Sequence, residues 1–295
     1  MGQIAEQYAR GSSRETPAGG RGGIGDGSIR SGEGRDQARL QLARAIEVEI
    51  IPRLVLAGRA GQPEPQRQRE PLVLRPAPEE VAEFSGIVLG QDAGDAAAYV
   101  QGLQDRGATI ETLFLDLLAP AARRLGELWS ADLVDFVEVT IGLGRLQQVL
   151  REFTPAFQRD AVLRSRSRRL LIVPTIGEQH TFGLIMVAEF FRRAGWGVWR
   201  SFGPSSELVD VVRQEWFSVV GFSAGSETRL DALASEIRAV RRASCNRAVG
   251  VMVGGPVFVA HPEFVPLVGA DTMANDGRDA PRQAEDLIRL LARMG

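Results

Sequence analysis

Residues 168–183 read RRLLIVPTIGEQHTFG, a short apolar run followed by a polar loop that contains one histidine. The run over 168–175 has the length and composition of a strand buried in a parallel sheet. An apolar helical segment begins at the end of this stretch, and four more strand-like runs alternate with helical segments to the end of the chain. This alternation predicts an α/β domain over 168–295 with a five-stranded parallel sheet covered by helices on both faces.

The predicted elements identify the edge of the sheet where a ligand would bind. We expect strands over 168–175, 197–201, 217–223, 248–255 and 270–274. We expect helices over 181–195, 205–216, 229–243, 262–268 and 279–294. Ligands of open parallel sheets bind beyond the carboxyl ends of the strands. The candidate loops are therefore those that follow Pro174, Ser201, Ser223, Gly255 and Ala274.

The region before this domain, over 77–160, predicts a small bundle of four helices. Signals for a helix start occur at Pro78, at Asp92 or Asp95, at Thr109 and before Phe136. The third helix carries one apolar stripe, formed by Ile110, Leu113, Leu117, Ala121, Leu125 and Leu128. Proline interrupts helical hydrogen bonding, so we expect a kink at Pro120.

Residues 1–76 form a Gly- and Pro-rich N-terminal arm. Nine of the 25 residues over 11–35 are glycine, and such a segment buries too little apolar surface to offset its ordering entropy. A possible amphipathic helix lies at 36–57, where apolar residues recur every three or four positions. Two interpretations remain for the arm: a disordered extension, or a flexible segment whose helix docks on a partner.

The composition excludes several kinds of site. The chain has two histidines, one cysteine, no lysine and a net charge of −2. One cysteine excludes a disulfide framework and a CxxC zinc site, and two histidines exclude a multi-histidine metal site. The lack of lysine excludes Schiff-base chemistry. The near-neutral charge offers no argument for binding nucleic acid.

No targeting or membrane segment is expected. The N-terminus lacks the apolar run of a signal peptide, and Glu6 departs from the myristoylation pattern. No stretch approaches the roughly 20 apolar residues of a membrane span. We therefore expect a cytoplasmic protein without a membrane partner.

His180 is the first candidate metal ligand, because its loop follows the first predicted strand. Glu178 lies two residues earlier and can hydrogen-bond the imidazole, which would leave the other ring nitrogen free for a metal. Gly183 would let a bulky group approach the start of the next helix. On these residues alone, a histidine that merely caps the helix is the favoured interpretation.

Three features at strand ends resemble the cobalamin-binding fold, whose fingerprint is Asp-x-His-x-x-Gly, then Ser-x-Leu, then Gly-Gly. The matching residues are Glu178, His180 and Gly183, then Ser223 and Gly225, then Gly254 and Gly255. The spacings suit that family, with 39 residues between the first and second features and 28 between the second and third. The resemblance implies a Rossmann-like cobalamin-binding domain preceded by a four-helix bundle cap.

The resemblance also implies the role of each matching residue. His180 would be the lower axial ligand to cobalt, with Glu178 as its hydrogen-bond partner and Thr181 and Phe182 beside the cofactor. The nucleotide tail of cobalamin would pass through a channel of small residues, formed by Ser223, Gly225, Gly254 and Gly255. Two positions depart from the family pattern: Glu178 replaces Asp, and Gly225 replaces Leu and would widen the channel.

The cap contains a further point of similarity at Trp129. Cobalamin-binding proteins of this kind carry a Gly-x-x-Trp stretch in the cap, and Gly126 to Trp129 matches it. Trp129 would cover the upper face of the cofactor; a tryptophan of the bundle core is the alternative. Related photoreceptors place Glu-His ten and eleven residues later. This chain has Val139 and Thr140 there, so the cap supplies no upper histidine ligand.

Within the family, the sequence most resembles the AerR/PpaA group of purple bacteria, whose members bind cobalamin in a light-dependent way. The resemblance implies a photoreceptor that binds adenosylcobalamin or hydroxocobalamin. It would act in transcription as an antirepressor, through contact with a CrtJ/PpsR-type repressor, and would not be an enzyme. The alternative is a corrinoid carrier of a cobalamin-dependent methyltransferase system. Direct DNA contact is a weaker possibility, because no helix-turn-helix is evident.

Two other sites are open to more than one interpretation. His261 follows Gly254-Gly255 by a few residues and is either a surface or capping histidine or a contact to the nucleotide end of the cofactor. Arg241, Arg242 and Arg247 form either a solvated face or a contact for a partner.

Overall fold

The structure is a computed structural model that describes residues 74–90, 93–163, 165, 168–175, 181–201, 203 and 205–294. Residues Pro71–Gly295 form one compact unit. The predictions for the N-terminal arm and its helix at 36–57 lie outside the described residues, as do Glu178 and His180.

Helices occupy the first part of the described chain, as the sequence predicts. They are α1 (Pro78–Leu89), α2 (Ala93–Asp105), α3 (Ile110–Thr112), a π-helical segment (Leu113–Leu118), α4 (Ala119–Ser130) and α5 (Phe136–Phe157). Thr109 caps α3, since its hydroxyl accepts a hydrogen bond from the Thr112 amide at 3.1 Å. Asp135 and Glu138 form a reciprocal capping box at the start of α5, with bonds of 2.8 and 2.7 Å.

Two prolines have effects that differ from the expectation. The segment Leu113–Leu118, just before Pro120, is π-helical, which means that its turns are wider than those of an α-helix. Pro120 itself lacks an amide donor. Helix α5 also passes through Pro155 and ends at Phe157. Extended by this last turn, α5 brings Phe157 against the next domain.

The second part of the chain contains the predicted five-stranded parallel sheet. Its strands are β1 (Arg169–Pro174), β2 (Gly197–Arg200), β3 (Val219–Ser223), β4 (Gly250–Gly254) and β5 (Thr272–Met273). The order is β2-β1-β3-β4-β5, and every neighbouring pair is parallel. The strand order reverses between β1 and β3, which is the point where such sheets bind ligands.

Helices separate the strands. They are α6 (Phe182–Arg193), α7 (Ser205–Gln214), a 3₁₀ turn (Glu227–Arg229) that leads into α8 (Leu230–Ala243), α9 (Pro256–Ala260), α10 (Phe264–Leu267) and α11 (Asp279–Met294). The helix predicted over 262–268 is present as α10, whereas the separate helix α9 before it was not predicted. Helix α9 ends before His261. A proline disfavours helical geometry at the residue before it. His261 precedes Pro262 and has φ −133° and ψ 73°. Within the described ranges, no helix is long and apolar enough to span a membrane.

The sheet is buried on both faces, as its continuous apolar strands predict. Leu170, Ile172 and Met252 pack in one core with residues of α6 and α11. Alternate strand residues, among them Leu171 and Val173, pack in a second core with α7 and α8. This two-sided burial explains why the strands show no polar alternation.

The bundle joins the sheet domain through apolar contacts on α6. Phe182, Met186 and Phe190 belong to the same core as the bundle helices. The rings of Phe114 and Phe157 lie 5.0 Å apart, and those of Phe157 and Phe190 lie 4.9 Å apart. The bundle and α6 therefore share one hydrophobic core.

An ionic contact accompanies this apolar joint. The carboxylate of Glu111 in α3 binds Arg193 of α6 at 3.1 Å and also binds Arg278. The Arg193 guanidinium in turn lies 4.6 Å from the centre of the Phe157 ring. Glu111 thus links the bundle to two separate segments of the sheet domain.

Phe157 is the residue on which this joint most depends. It is 3% exposed, so we expect Phe157→Ala to leave a cavity and lower the free energy of unfolding by about 3–5 kcal/mol. Leu163→Ala is the matched control, because Leu163 is 92% exposed and its truncation should change stability by less than about 0.5 kcal/mol. Urea unfolding measures both; equal losses would contradict the packing described.

Candidate functional site

Three predicted site segments meet at the carboxyl edge of the sheet. In the strand register, Pro174 of β1 lies beside Ser223 of β3, and Ser223 lies beside Gly254 of β4. These three strand ends therefore form one row across the sheet edge. The row is centred on Ser223, next to the point where the strand order reverses.

Hydrogen bonds connect the chain immediately beyond this row. The carbonyl oxygen of Ser223 accepts two bonds from Thr175, from its amide at 3.0 Å and from its hydroxyl at 2.8 Å. The amide of Ala224 donates to the carbonyl oxygen of Gly254 at 3.1 Å. Thr175, which is 1% exposed, was not singled out by the sequence analysis, although a polar residue directly after a buried strand was a signal for it.

The two glycines of the Gly-Gly pair differ in what they do. Gly255 has φ +108°, and a Cβ there would lie 2.2 Å from the Ala224 carbonyl oxygen. A Cβ on Gly254 would meet nothing closer than the Ala274 carbonyl oxygen, at 3.8 Å. Gly255 thus permits the close packing of two loops, whereas Gly254 has room for a Cβ atom in ordinary van der Waals contact.

The other predicted contact residues divide between surface and core. Gly183 and Gly225 are exposed, and Ser223 and Thr181 are half-buried. Phe182 is 4% exposed and packs in the core that the bundle shares with α6. We therefore assign Phe182 to that core and no longer to the predicted cofactor contact.

The loop predicted to bind the metal lies outside the described residues, with Glu178 and His180 in it. The described chain resumes at Thr181, immediately before α6. The described residues on either side of this loop are Thr175, at the sheet edge, and Thr181, at the start of a helix.

An apolar patch is exposed at the end of α4 and the start of α5. Its members and their exposed fractions are Trp129 (39%), Leu133 (70%), Phe136 (62%), Val137 (60%) and Ile141 (47%). The rings of Trp129 and Phe136 lie 6.4 Å apart, edge to face. This exposure does not fit a tryptophan of the bundle core, and contiguous exposed patches of this kind mark binding sites.

The two residues that stand where related photoreceptors have Glu-His make no ligand at this patch. Val139 is 7% exposed and faces the bundle core. The hydroxyl of Thr140 donates to the carbonyl oxygen of Phe136 at 2.7 Å. The apolar patch is therefore built of side chains that do not coordinate metals.

His261 has partners on both sides. Its Nδ1 lies 3.1 Å from a Glu263 carboxylate oxygen, its Nε2 lies 3.4 Å from Glu227, and its ring stacks on Phe264 at 4.9 Å. A hydrogen bond from its own backbone amide, followed by one from His261, lowers the pKa of Glu263. Among the described residues, no group of three or more His, Cys, Asp or Glu side chains could hold a metal.

The region around this edge is similar to a known family. Residues 168–285 match the family model described as the B12 binding domain. This match covers the part of the chain in which the fingerprint residues Ser223 and Gly254 lie.

Two similar proteins extend the comparison. An uncharacterized 20.5 kDa protein in the bchF-crtJ intergenic region of Rhodobacter capsulatus is 29% identical over 168 residues, which cover 57% of this chain and 87% of that one. The solved structure of the monomethylamine corrinoid protein of Methanosarcina barkeri has a TM-score of 0.60 and 13% identity, covering 72% of this chain and all of that one. At this identity the second similarity establishes the fold alone.

The positive φ of Gly255 yields a test of the loop packing. Gly255→Ala would place a methyl group against the Ala224 carbonyl, so we expect the ligand-free protein to lose about 2–4 kcal/mol of stability. Gly144→Ala is the control, because Gly144 lies exposed within α5 with open space at its Cβ position, and alanine there should stabilise by about 0.5–1 kcal/mol. Urea unfolding separates the two, and a Gly255→Ala protein as stable as wild type would refute the assignment.

Proposed function

We propose that this protein is a cobalamin-dependent, light-responsive regulator that acts through a protein contact and not as an enzyme. The observation that carries the proposal is the row of strand ends, where Gly254 lies beside Ser223 and has room for a Cβ atom. The match of residues 168–285 to the B12 binding domain supports the choice of ligand.

The residues at this edge fit the nucleotide tail of cobalamin. A tail inserted between strand ends needs small residues, and Ala224, Gly254 and Gly255 lie together there. His180 would supply the imidazole that binds cobalt from below, and Glu178 would fix its tautomer. Either adenosylcobalamin or hydroxocobalamin would be held in this way. When bound, adenosylcobalamin supplies a cobalt–carbon bond that visible light breaks, whereas hydroxocobalamin has none.

The apolar patch suggests how the protein would sense this event. Its side chains offer no metal ligand, so the upper ligand would come with the cofactor. An alkyl group would be covered by Trp129 and Phe136, which are large, apolar and exposed. Loss of that group would leave these rings against a smaller ligand. Repacking of the patch would then change the surface that a partner contacts.

The proposed partner is a repressor of the CrtJ/PpsR type. The similar protein of Rhodobacter capsulatus supports this proposal through its location, since it is described by its position in the bchF-crtJ region. Contact with the repressor, rather than with DNA, is consistent with a net charge of −2.

A corrinoid methyl carrier is the second candidate. It is favoured by the fold shared with the monomethylamine corrinoid protein, and it would use the same cofactor and the same His180. Neighbouring genes discriminate between the two candidates: photosynthesis genes favour the regulator, and methyltransferase genes favour the carrier.

His180→Ala tests the cobalt ligand. The cobalt(II) form of the bound cofactor should lose the nitrogen hyperfine splitting of an imidazole ligand in its electron paramagnetic resonance spectrum. His261→Ala is the matched control and should keep the wild-type spectrum, because Glu227, Glu263 and Phe264 already hold that ring. A wild-type spectrum from His180→Ala would place the ligand elsewhere.

Illumination tests the regulatory role. We expect the affinity for a CrtJ/PpsR-type repressor to differ between the dark alkylcobalamin form and the same sample after light exposure, because only the dark form keeps the upper group. A pulldown or a titration with the purified repressor measures both states. Equal affinities in the two states would show that light is not the signal.

A further inference from the structure

Thr175 occupies the junction between two parts of the proposed site. It directly follows β1, and the segment that contains His180 begins with the next residue. It is 1% exposed, and both of its donors bind the carbonyl oxygen of Ser223, at 3.0 and 2.8 Å. The end of β1 is therefore held to the end of β3 by two bonds that converge on a single acceptor.

Of the two donors of Thr175, only the side-chain hydroxyl can be removed by a substitution, because the backbone amide stays in every non-proline variant. The preceding residue, Pro174, has no amide hydrogen, so Thr175 supplies the first amide donor beyond it. A buried hydroxyl is stabilising only when it is paired, and this one is paired within the described structure. Valine would keep the shape of the side chain and lose the bond.

The bonds at Ser223 continue toward Gly254. The residue after Ser223, Ala224, donates to the Gly254 carbonyl, and its own carbonyl lies under Gly255. A shift of the Ser223 carbonyl would therefore move Ala224 and with it the contact that borders the space beside Gly254. Thr175 acts on that space through two intermediate residues and does not border it itself.

We propose that the Thr175 hydroxyl is a positioning group for the tail channel of the cobalamin site, an inference that rests on the proposed function. It holds the Ser223 and Ala224 backbone in the arrangement that leaves room beside Gly254. Without it, the loops after β3 and β4 sample other arrangements, and binding carries the free-energy cost of ordering them.

The binding experiment uses the full chain and three variants. We expect Thr175→Val to bind hydroxocobalamin about three- to tenfold more weakly than wild type, the effect of losing one typical hydrogen bond. Thr175→Ser keeps the hydroxyl and should bind within about twofold of wild type, because a conservative substitution has only a small effect on the free energy. Thr112→Val is the matched control, since Thr112 is 3% exposed and its hydroxyl is bonded at 2.8 Å to Thr109 in the bundle.

A second measurement needs no cofactor. Amide hydrogen exchange at Ala224 in the ligand-free protein should be faster in Thr175→Val than in wild type and unchanged in Thr112→Val. This separates positioning from a general loss of stability. Should Thr175→Val fail to fold, Thr175→Cys takes its place with the same expected results, because a thiol of similar size is a weaker donor.

The outcomes separate the inference from the function on which it rests. Wild-type affinity and exchange in Thr175→Val would overturn the inference, as would a Thr175→Ser protein that binds as weakly as Thr175→Val. An equal loss of affinity in Thr112→Val would also overturn it. A wild-type protein that binds no cobalamin would instead overturn the proposed function, and the exchange measurement would still decide the role of Thr175.

Discussion

Helix α6 packs in two hydrophobic cores at once, and the arrangement of the molecule depends on this constraint. Phe182, Met186 and Phe190 lie in the core of the bundle, while Leu184, Ala188 and Phe191 lie against the sheet. The helix begins where the segment with Glu178 and His180 ends. Helix α6, which has two apolar faces, therefore positions the bundle, the sheet and the start of the candidate site relative to one another.

The sequence predicted the fold well because its strands are short apolar runs separated by helices of ordinary length. The sheet over 168–295 and the position of Ser223 beside Gly254 follow from that pattern once the strands are parallel. The pattern could not predict how backbone groups pair beyond the strand ends. The two hydrogen bonds from Thr175 to the Ser223 carbonyl oxygen depend on three-dimensional contacts that no periodic sequence pattern encodes. The same is true of the separate roles of Gly254 and Gly255.

Two other differences have specific physical causes. Phe182 is adjacent to a fingerprint residue, but the helix turns its ring into the bundle core, because burial there is more favourable than exposure at the sheet edge. Helix α9 was not predicted from the sequence, and it ends before His261 because Pro262 disfavours helical geometry there. The end of α9 places His261 between the carboxylates of Glu227 and Glu263. A metal-binding imidazole instead needs one ring nitrogen free for the metal.

The contact of Glu111 with Arg193 and Arg278 joins the bundle to the sheet domain through two guanidinium groups. A guanidinium keeps its charge across the physiological pH range, and its planar donors bind carboxylates with defined geometry. The attachment of the bundle at this point is therefore weakened by dissolved ions, which screen partly exposed charges. Any mechanical coupling between the bundle and the segment after β5 would accordingly vary with ionic strength.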